Sequence, residues 1–292
     1  MDEPDFSLAA SRVAIVGLGL MGGSLGLALR GRCREIVGVD ADLETQAAAQ
    51  SGGAIDRAVD WETAVQADVL ILATPPRVIL AQLAQLARLP QYAIRNTVVL
   101  DLGSTKAHIV AAMQALPPRF EPIGGHPMCG KEVSGLAQAE AELYRGKAFI
   151  LTPTARTTAR ALQWALELIA TIGAHPVVLR DGAARHDSLA ALVSHLPYTV
   201  AAALVRTALA ASQDDQLWPI AASGFRDTSR LAASDLTMMT DILLTNRAAV
   251  LDTLRLYRHE LDTLTSAIES GDAEALQAVL KPAQQKRREL FQ

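Results

Sequence analysis

Through the first 180 residues, short unbroken apolar runs alternate with segments whose apolar positions recur at helical spacing. Val13–Val16 leads into a glycine turn and the apolar positions Leu25, Leu27, Ala28 and Leu29. Glu35–Asp40 precedes an Ala-rich helical pattern. Asp68–Ala73 stops at Thr74-Pro75-Pro76, before a helical run over Val78–Leu89. Thr97–Leu102 stops at Gly103-Ser104, and Phe120–Ile123 at Gly124-Gly125-His126-Pro127. Ala148–Leu151 and Pro176–Leu179 flank a helix striped by Leu162, Ala165, Leu166, Ile169 and Ile172 and closed by Gly173. Continuous apolar strands separated by helices predict a mostly parallel sheet covered on both faces, an α/β doubly wound domain.

Past residue 181 the strand signals stop. Ala184–Val205, Val205–Ala211, Leu236–Glu269 and Asp272–Leu290 all read as helix, with Leu251, Leu254, Leu261 and Leu264 at helical spacing. The pattern predicts an α/β domain over 1–181, tested below for dinucleotide binding, and an all-α domain over 182–292, divided near Arg180-Asp181-Gly182. The helices carry more apolar residues than a domain of this size uses internally, which points to a homodimer.

Composition narrows the function. Lys plus Arg is 27 and Asp plus Glu 31, a net charge of −4 with no basic stripe, which disfavours nucleic acid and anionic membrane as partners. Two cysteines, Cys33 and Cys129, make neither a disulfide framework nor a structural zinc site. The opening MDEPDF is acidic where a secretory signal is basic, so a reducing cytoplasm is expected. Ser188–Val205 is uncharged but holds His195 and Pro197, and reads as a helix of a soluble protein.

Gly17-Leu18-Gly19-Leu20-Met21-Gly22 fits G-x-G-x-x-G between a strand and a helix. The first glycine permits the turn, the second lets backbone approach a pyrophosphate, and the third lets helix pack on strand. Asp40 ends the next strand, where an acid binds ribose hydroxyls and repels a 2′-phosphate, so NAD is expected over NADP. The plainer alternative is a structural turn with Asp40 as a helix cap. Later strands deliver Thr74-Pro75-Pro76, Ser104 and His126 to the same edge, where ligands bind in such sheets. An imidazole there is the natural acceptor for a proton leaving an alcohol as hydride departs. Taken alone, His126 also suits a structural role. In the second domain, Arg226 and Arg230 suit an anionic substrate, or else a solvated face with Asp227. His195 sits in an uncharged helix and suits either a core or a substrate role.

The motif blocks are Gly17-Leu-Gly-Leu-Met-Gly22, Asp101-Leu-Gly-Ser104-Thr-Lys106, Gly124-Gly-His126-Pro-Met-Cys-Gly130 with Glu132, Ser194-His195-Leu-Pro-Tyr198, and Gly224-Phe-Arg-Asp-Thr-Ser-Arg230. On these blocks, spanning about residues 12 to 285, the chain resembles the prephenate/arogenate (cyclohexadienyl) dehydrogenases of tyrosine biosynthesis. The resemblance implies a Rossmann-type NAD domain followed by an α-helical dimerisation domain. The reaction it implies is oxidative decarboxylation of prephenate to 4-hydroxyphenylpyruvate or of arogenate to tyrosine. By the same resemblance, His126 takes the proton of the ring C4 hydroxyl, Ser104 orients His126 and the nicotinamide, and Arg230 binds the ring carboxylate. His186, His195, Tyr198, Arg226 and Glu132 would surround the substrate. Gly17, Gly19, Leu20, Met21, Gly22, Asp40, Thr74, Pro75 and Ser104 would hold the cofactor. Tyr198 stands where some members carry a second histidine and Arg226 where some carry lysine, which leaves prephenate against arogenate open. The chain has no room for a fused chorismate mutase or a full regulatory domain, so any inhibition by tyrosine would have to occur at the active site itself.

A β-hydroxyacid dehydrogenase of the hydroxyisobutyrate type shares the glycine motif and a helical second domain, but uses a lysine on a helix of that domain. Residues 182–280 contain no lysine. A non-catalytic NAD-binding regulator explains the glycine motif and gives no reason for His126 and Arg230.

Overall fold

A computed structural model of the chain describes residues 6–89, 96–131, 133–180, 182–211, 214 and 216–291. Among the described residues the strands are β1 (Arg12–Val16), β2 (Glu35–Val39), β3 (Arg57–Ala58), β4 (Val69–Leu72), β5 (Thr97–Asp101), β6 (Phe120–Pro127), β7 (Ala148–Pro153) and β8 (His175–Val178). They form one sheet in the order β3-β2-β1-β4-β5-β6-β7-β8. Every neighbouring pair is parallel except β6–β7. The order reverses between β1 and β4, which opens the crevice at their carboxyl ends where doubly wound folds bind ligands.

The unbroken apolar runs follow from burial on both faces. Alternate residues point to opposite sides of a strand. Val13, Ile15, Val69, Ile71, Val98 and Leu100 therefore join a core under α1 (Leu20–Leu29) and α6 (Ala159–Thr171). Ala14, Val16, Leu70, Leu72 and Val99 join a second core under α4 (Pro76–Leu86) and α5 (Ala107–Gln114). Between these lie α2 (Leu43–Ser51), capped by Asp42, and the short α3 (Trp61–Ala64), capped by Asp60. The fold class predicted from the pattern is the one observed.

β6 runs through Gly124-Gly125-His126-Pro127 rather than ending before it, because antiparallel β7 pairs with Ile123–Pro127 after β5 has stopped pairing at Ile123. His126 is thus held in a strand that overhangs its parallel neighbour.

The chain divides into two compact units, Met1–Asn246 and Arg247–Gln292. The first includes the sheet and the helices α7 (Ala183–Ala190), α8 (Leu196–Ala211), α9 (Ser223–Ser229) and α10 (Leu236–Thr245). A π-helical turn, Ala191–His195, interrupts the expected helix between α7 and α8. A 3-10 turn, Arg230–Ala233, follows α9. The second unit holds α11 (Arg247–Glu269) and α12 (Ala273–Leu290), which pack on each other across a turn at Gly271. The helix expected over Leu236–Glu269 breaks at Asn246, whose side chain is committed to hydrogen bonds at the site below.

Candidate active site

Gly17 turns the chain out of β1 with φ +93°, a conformation glycine adopts without steric cost. Gly19 is the N-cap of α1 and no side chain caps the first N–H groups. A Cβ at Gly22 would stand 1.8 Å from the Gly17 carbonyl oxygen, whereas one at Gly19 would meet nothing within 4 Å. Open space over a bare helix N-terminus is what a pyrophosphate requires. Leu20 is buried, and the Met21 carbonyl accepts the Tyr144 hydroxyl at 2.6 Å, which pins the first turn of α1. Asp40 accepts the N–H of Leu18 at 2.7 Å and of Asp42 at 3.0 Å, bracing the glycine turn from the end of β2. The cap of α2 is Asp42, so Asp40 is not spent on that task. The wall beside the turn comes from Thr74, bonded to Gln82 at 2.9 Å, and Pro75, the N-cap of α4. These residues fit a dinucleotide.

His126 is 7% exposed, and its Nδ1 lies 2.8 Å from His186 Nε2. His186 Nδ1 lies 2.8 Å from Asp187 Oδ1. Asp187 accepts two further hydrogen bonds at the start of α5, from Lys106 N–H at 2.7 Å and Ala107 N–H at 2.8 Å. The same stretch carries a buried ion pair between Lys106 Nζ and the Asp101 carboxylate. Asp101 also accepts Gly125 N–H at 3.2 Å, which ties the tip of β5 to the residue before His126. On the other side, Asn246 Nδ2 donates to the Asp187 carbonyl at 2.7 Å and lies 3.1 Å from His195 Nδ1. His195 Nε2 is buried and has no hydrogen-bond partner among the described residues.

The charges follow from this packing. Burial, then His186, Lys106 and His195, hold the His126 imidazole well below its ordinary value of 6.5. Burial likewise pushes His195 down to about 4, partly opposed by Asp187. Burial works to raise the Asp187 carboxyl, but hydrogen bonds from His186, Ala107 and Lys106 outweigh it and keep it below the ordinary carboxylate range. At neutral pH the cluster is a neutral His126 backed by an ionised Asp187.

The other residues singled out lie as follows. Ser104 is half-buried after β5, and among the described residues the partner of His126 is His186, not Ser104. His186 was expected against substrate, but it is fully buried and bonded on both ring nitrogens, which puts it behind His126. Tyr198 is half-buried on α8. Arg226 is exposed and pairs with Asp227 at 3.1 Å. Arg230 opens the 3-10 turn, which packs against α8. Glu132 lies outside the described residues. Burial raises the Cys129 thiol to about 11, leaving it a packing residue.

The family model for the prephenate dehydrogenase nucleotide-binding domain matches residues 25–178, and that for the prephenate dehydrogenase dimerization domain matches residues 182–282. The chain belongs to the prephenate dehydrogenase family. It is 36% identical over 280 residues to a prephenate dehydrogenase of Bacillus subtilis (strain 168), covering 93% of this chain and 74% of that protein. Prephenate dehydrogenase from A. aeolicus, solved with hydroxyphenyl propionate and NAD+, superposes with a TM-score of 0.87 at 33% identity, covering 97% of this chain and 99% of that one. Synechocystis arogenate dehydrogenase gives 0.79 at 31%, covering 96% and 100%. Membership of the prephenate dehydrogenase family favours neither the regulator reading nor the β-hydroxyacid reading.

Within this prephenate dehydrogenase fold, the sequence reading missed Asp101, Lys106, Asp187 and Asn246 as parts of the site. Asp101 and Lys106 stood inside a recognised motif block, and Asp187 beside a singled-out histidine. Asn246 gave no signal, because a single amide at a helix junction carries none.

Proposed function

We propose that the chain catalyses NAD-dependent oxidative decarboxylation of prephenate to 4-hydroxyphenylpyruvate, of arogenate to tyrosine, or of both. The observation that carries this is a neutral buried imidazole, His126, on the same sheet edge as the glycine cradle, with Nδ1 engaged and Nε2 left for a ligand. Bound NAD supplies the acceptor for the hydride leaving ring C4. His126 Nε2 accepts the proton of the C4 hydroxyl, which makes the oxygen a better electron donor to C4 as the C–H bond breaks. When the ring carboxylate leaves as CO2, its electron pair aromatises the ring, and His126 returns the proton to the oxygen. No net proton is consumed, so one imidazole serves both stages.

Arg230 holds the ring carboxylate, with Ser104 beside the nicotinamide and Tyr198 and Arg226 toward the side chain. His195 is assigned a direction by its neighbours. Asn246 Nδ2 donates to the Asp187 carbonyl, so it presents only N–H to His195 Nδ1, which must accept. Neutral His195 then carries its proton on Nε2, a buried donor that a substrate oxygen would satisfy. Gly17, Gly19, Leu20, Met21, Gly22, Asp40, Thr74 and Pro75 hold the dinucleotide, and the acid at Asp40 favours NAD over NADP.

The functional division falls at 181/182, and the helical region makes a homodimer. In support, Leu189, Leu192, Val193, Leu209, Trp218, Ile220, Leu236 and Leu244 are all exposed. Ala183–Ala211 is long and apolar enough to cross a membrane by length and composition. Its lying within the dimerization-domain match favours a second copy over lipid as its cover, and a cytoplasmic enzyme. Tyrosine, itself the product formed from arogenate, would compete at the same site. The test is NADH absorbance after adding NAD with prephenate, arogenate or 3-hydroxyisobutyrate. Turnover of either cyclohexadiene is expected; reduction with 3-hydroxyisobutyrate alone would overturn the reading.

A further inference from the structure

We propose that Asp187, acting through His186, is a positioning residue that fixes which nitrogen of His126 carries the proton. This rests on the reading of His126 as the proton acceptor. An imidazole accepts a proton only at the nitrogen that lacks one, and a free neutral histidine does not reserve Nε2 for that purpose. Something must therefore hold the His126 proton on Nδ1.

The geometry supplies it in three steps. The Asp187 carboxylate is ionised and only accepts, and both its oxygens are anchored by the N–H groups of Lys106 and Ala107. His186 Nδ1, 2.8 Å from Asp187 Oδ1, must then be the protonated nitrogen of His186. Its Nε2 is left with a lone pair, and at 2.8 Å that lone pair requires a proton on His126 Nδ1. His126 Nε2 is thereby the free acceptor. His186 is fully buried and Asp187 nearly so, which keeps water from offering either ring a different partner. The other groups facing His126, Lys106 and His195, do not compete for this chain of hydrogen bonds. Lys106 Nζ is bound to Asp101, and His195 Nδ1 faces Asn246. Asp187 also joins the two halves of the site. Its side chain caps α5 beside β5 while its carbonyl receives Asn246, so the acceptor on β6 is set from a helix of the matched dimerization domain.

The substitution Asp187→Asn replaces one accepting oxygen with an NH2 group and removes the charge. With the amide turned toward His186, the order of donors inverts and His126 Nε2 acquires the proton. Turned the other way, NH2 opposes Ala107 N–H and the charge is still lost. The experiment is 15N NMR of histidine-labelled wild type and Asp187→Asn, with kcat, NAD affinity and thermal melting measured on both. In wild type near neutral pH, His126 is expected as the Nδ1–H tautomer. In Asp187→Asn, that signal is expected to be lost or reversed, with kcat down at least ~10-fold and NAD affinity within ~3-fold of wild type. His186→Gln, whose side-chain oxygen can still accept from His126 Nδ1, is expected to keep more activity than His186→Leu, which offers no acceptor. A wild-type His126 protonated on Nε2, or an Asp187→Asn protein with unchanged tautomer and unchanged kcat, overturns the proposal. Equal losses in His186→Gln and His186→Leu, with the His126 tautomer unchanged in both, also overturn it. The NMR reading is independent of turnover. Failure of the tautomer assignment is therefore distinguishable from failure of wild type to oxidise either cyclohexadiene, which would sink the functional reading instead.

Discussion

His126 could be named from its sequence block, but its electrostatic setting could not. The glycines before it and the proline after it mark a constrained strand end, while the groups that keep its ring neutral come from residues 106, 186 and 195, far away in the chain. Because burial lowers the pKa, the imidazole remains a competent acceptor well below its ordinary 6.5. The acid limb of kcat/KM, which reports the free enzyme, is therefore expected below pH 6.5, and a limb at or above that value would contradict the burial seen here. His195 makes a stability statement of the same sign. Its folded value of about 4 lies below an unfolded value of 6.5, so the unfolded chain takes up the proton first as pH falls. The contribution is fully present above 6.5 and drains away as pH falls to about 4, a loss of roughly 3 kcal/mol. Urea midpoints of wild type should fall across that window more steeply than those of His195→Gln, and parallel curves would remove the assignment.

Elements whose physics is local were legible, and those decided by a distant partner were not. The glycine turn, the doubly buried strands and the striped α6 are written in neighbouring residues. The overhang of β6 depends on antiparallel β7, and the π-helical turn that holds His195 reads as continuous helix in the pattern although Pro197, which has no N–H to donate to Val193, follows it. Glycine substitutions separate two roles within one motif. Gly19→Ala should fold normally, since its Cβ meets nothing within 4 Å, yet weaken NAD by ~10-fold or more, about 1.4 kcal/mol. Gly22→Ala drives a Cβ to 1.8 Å from a backbone oxygen and should lower the melting temperature with or without cofactor. Thermal melts and NAD titrations check both, and equal effects from the two would undo the distinction.

For the whole molecule, the class of fold came from alternation of strand and helix, whereas the packing of the helical region did not. Residues 183–246 belong to one compact unit with the sheet, and Arg247–Gln292 forms a second. The reason lies in two ties, since Asp187 caps α5 and α10 packs against α4. The exposed apolar residues of the helical region lead to an expected sedimentation mass of twice 31.0 kDa. Charges at Leu189 and Leu209 should shift it toward the monomer, and a monomeric wild type would leave that surface without its proposed cover. The most direct measurement is a single-turnover comparison of wild type and His126→Asn, with saturating NAD and prephenate or arogenate. Loss of the proton acceptor should slow NADH formation by ~10²–10⁴-fold while NAD affinity is unchanged. A variant that forms NADH at the wild-type rate would show that the imidazole on β6 does not take the proton.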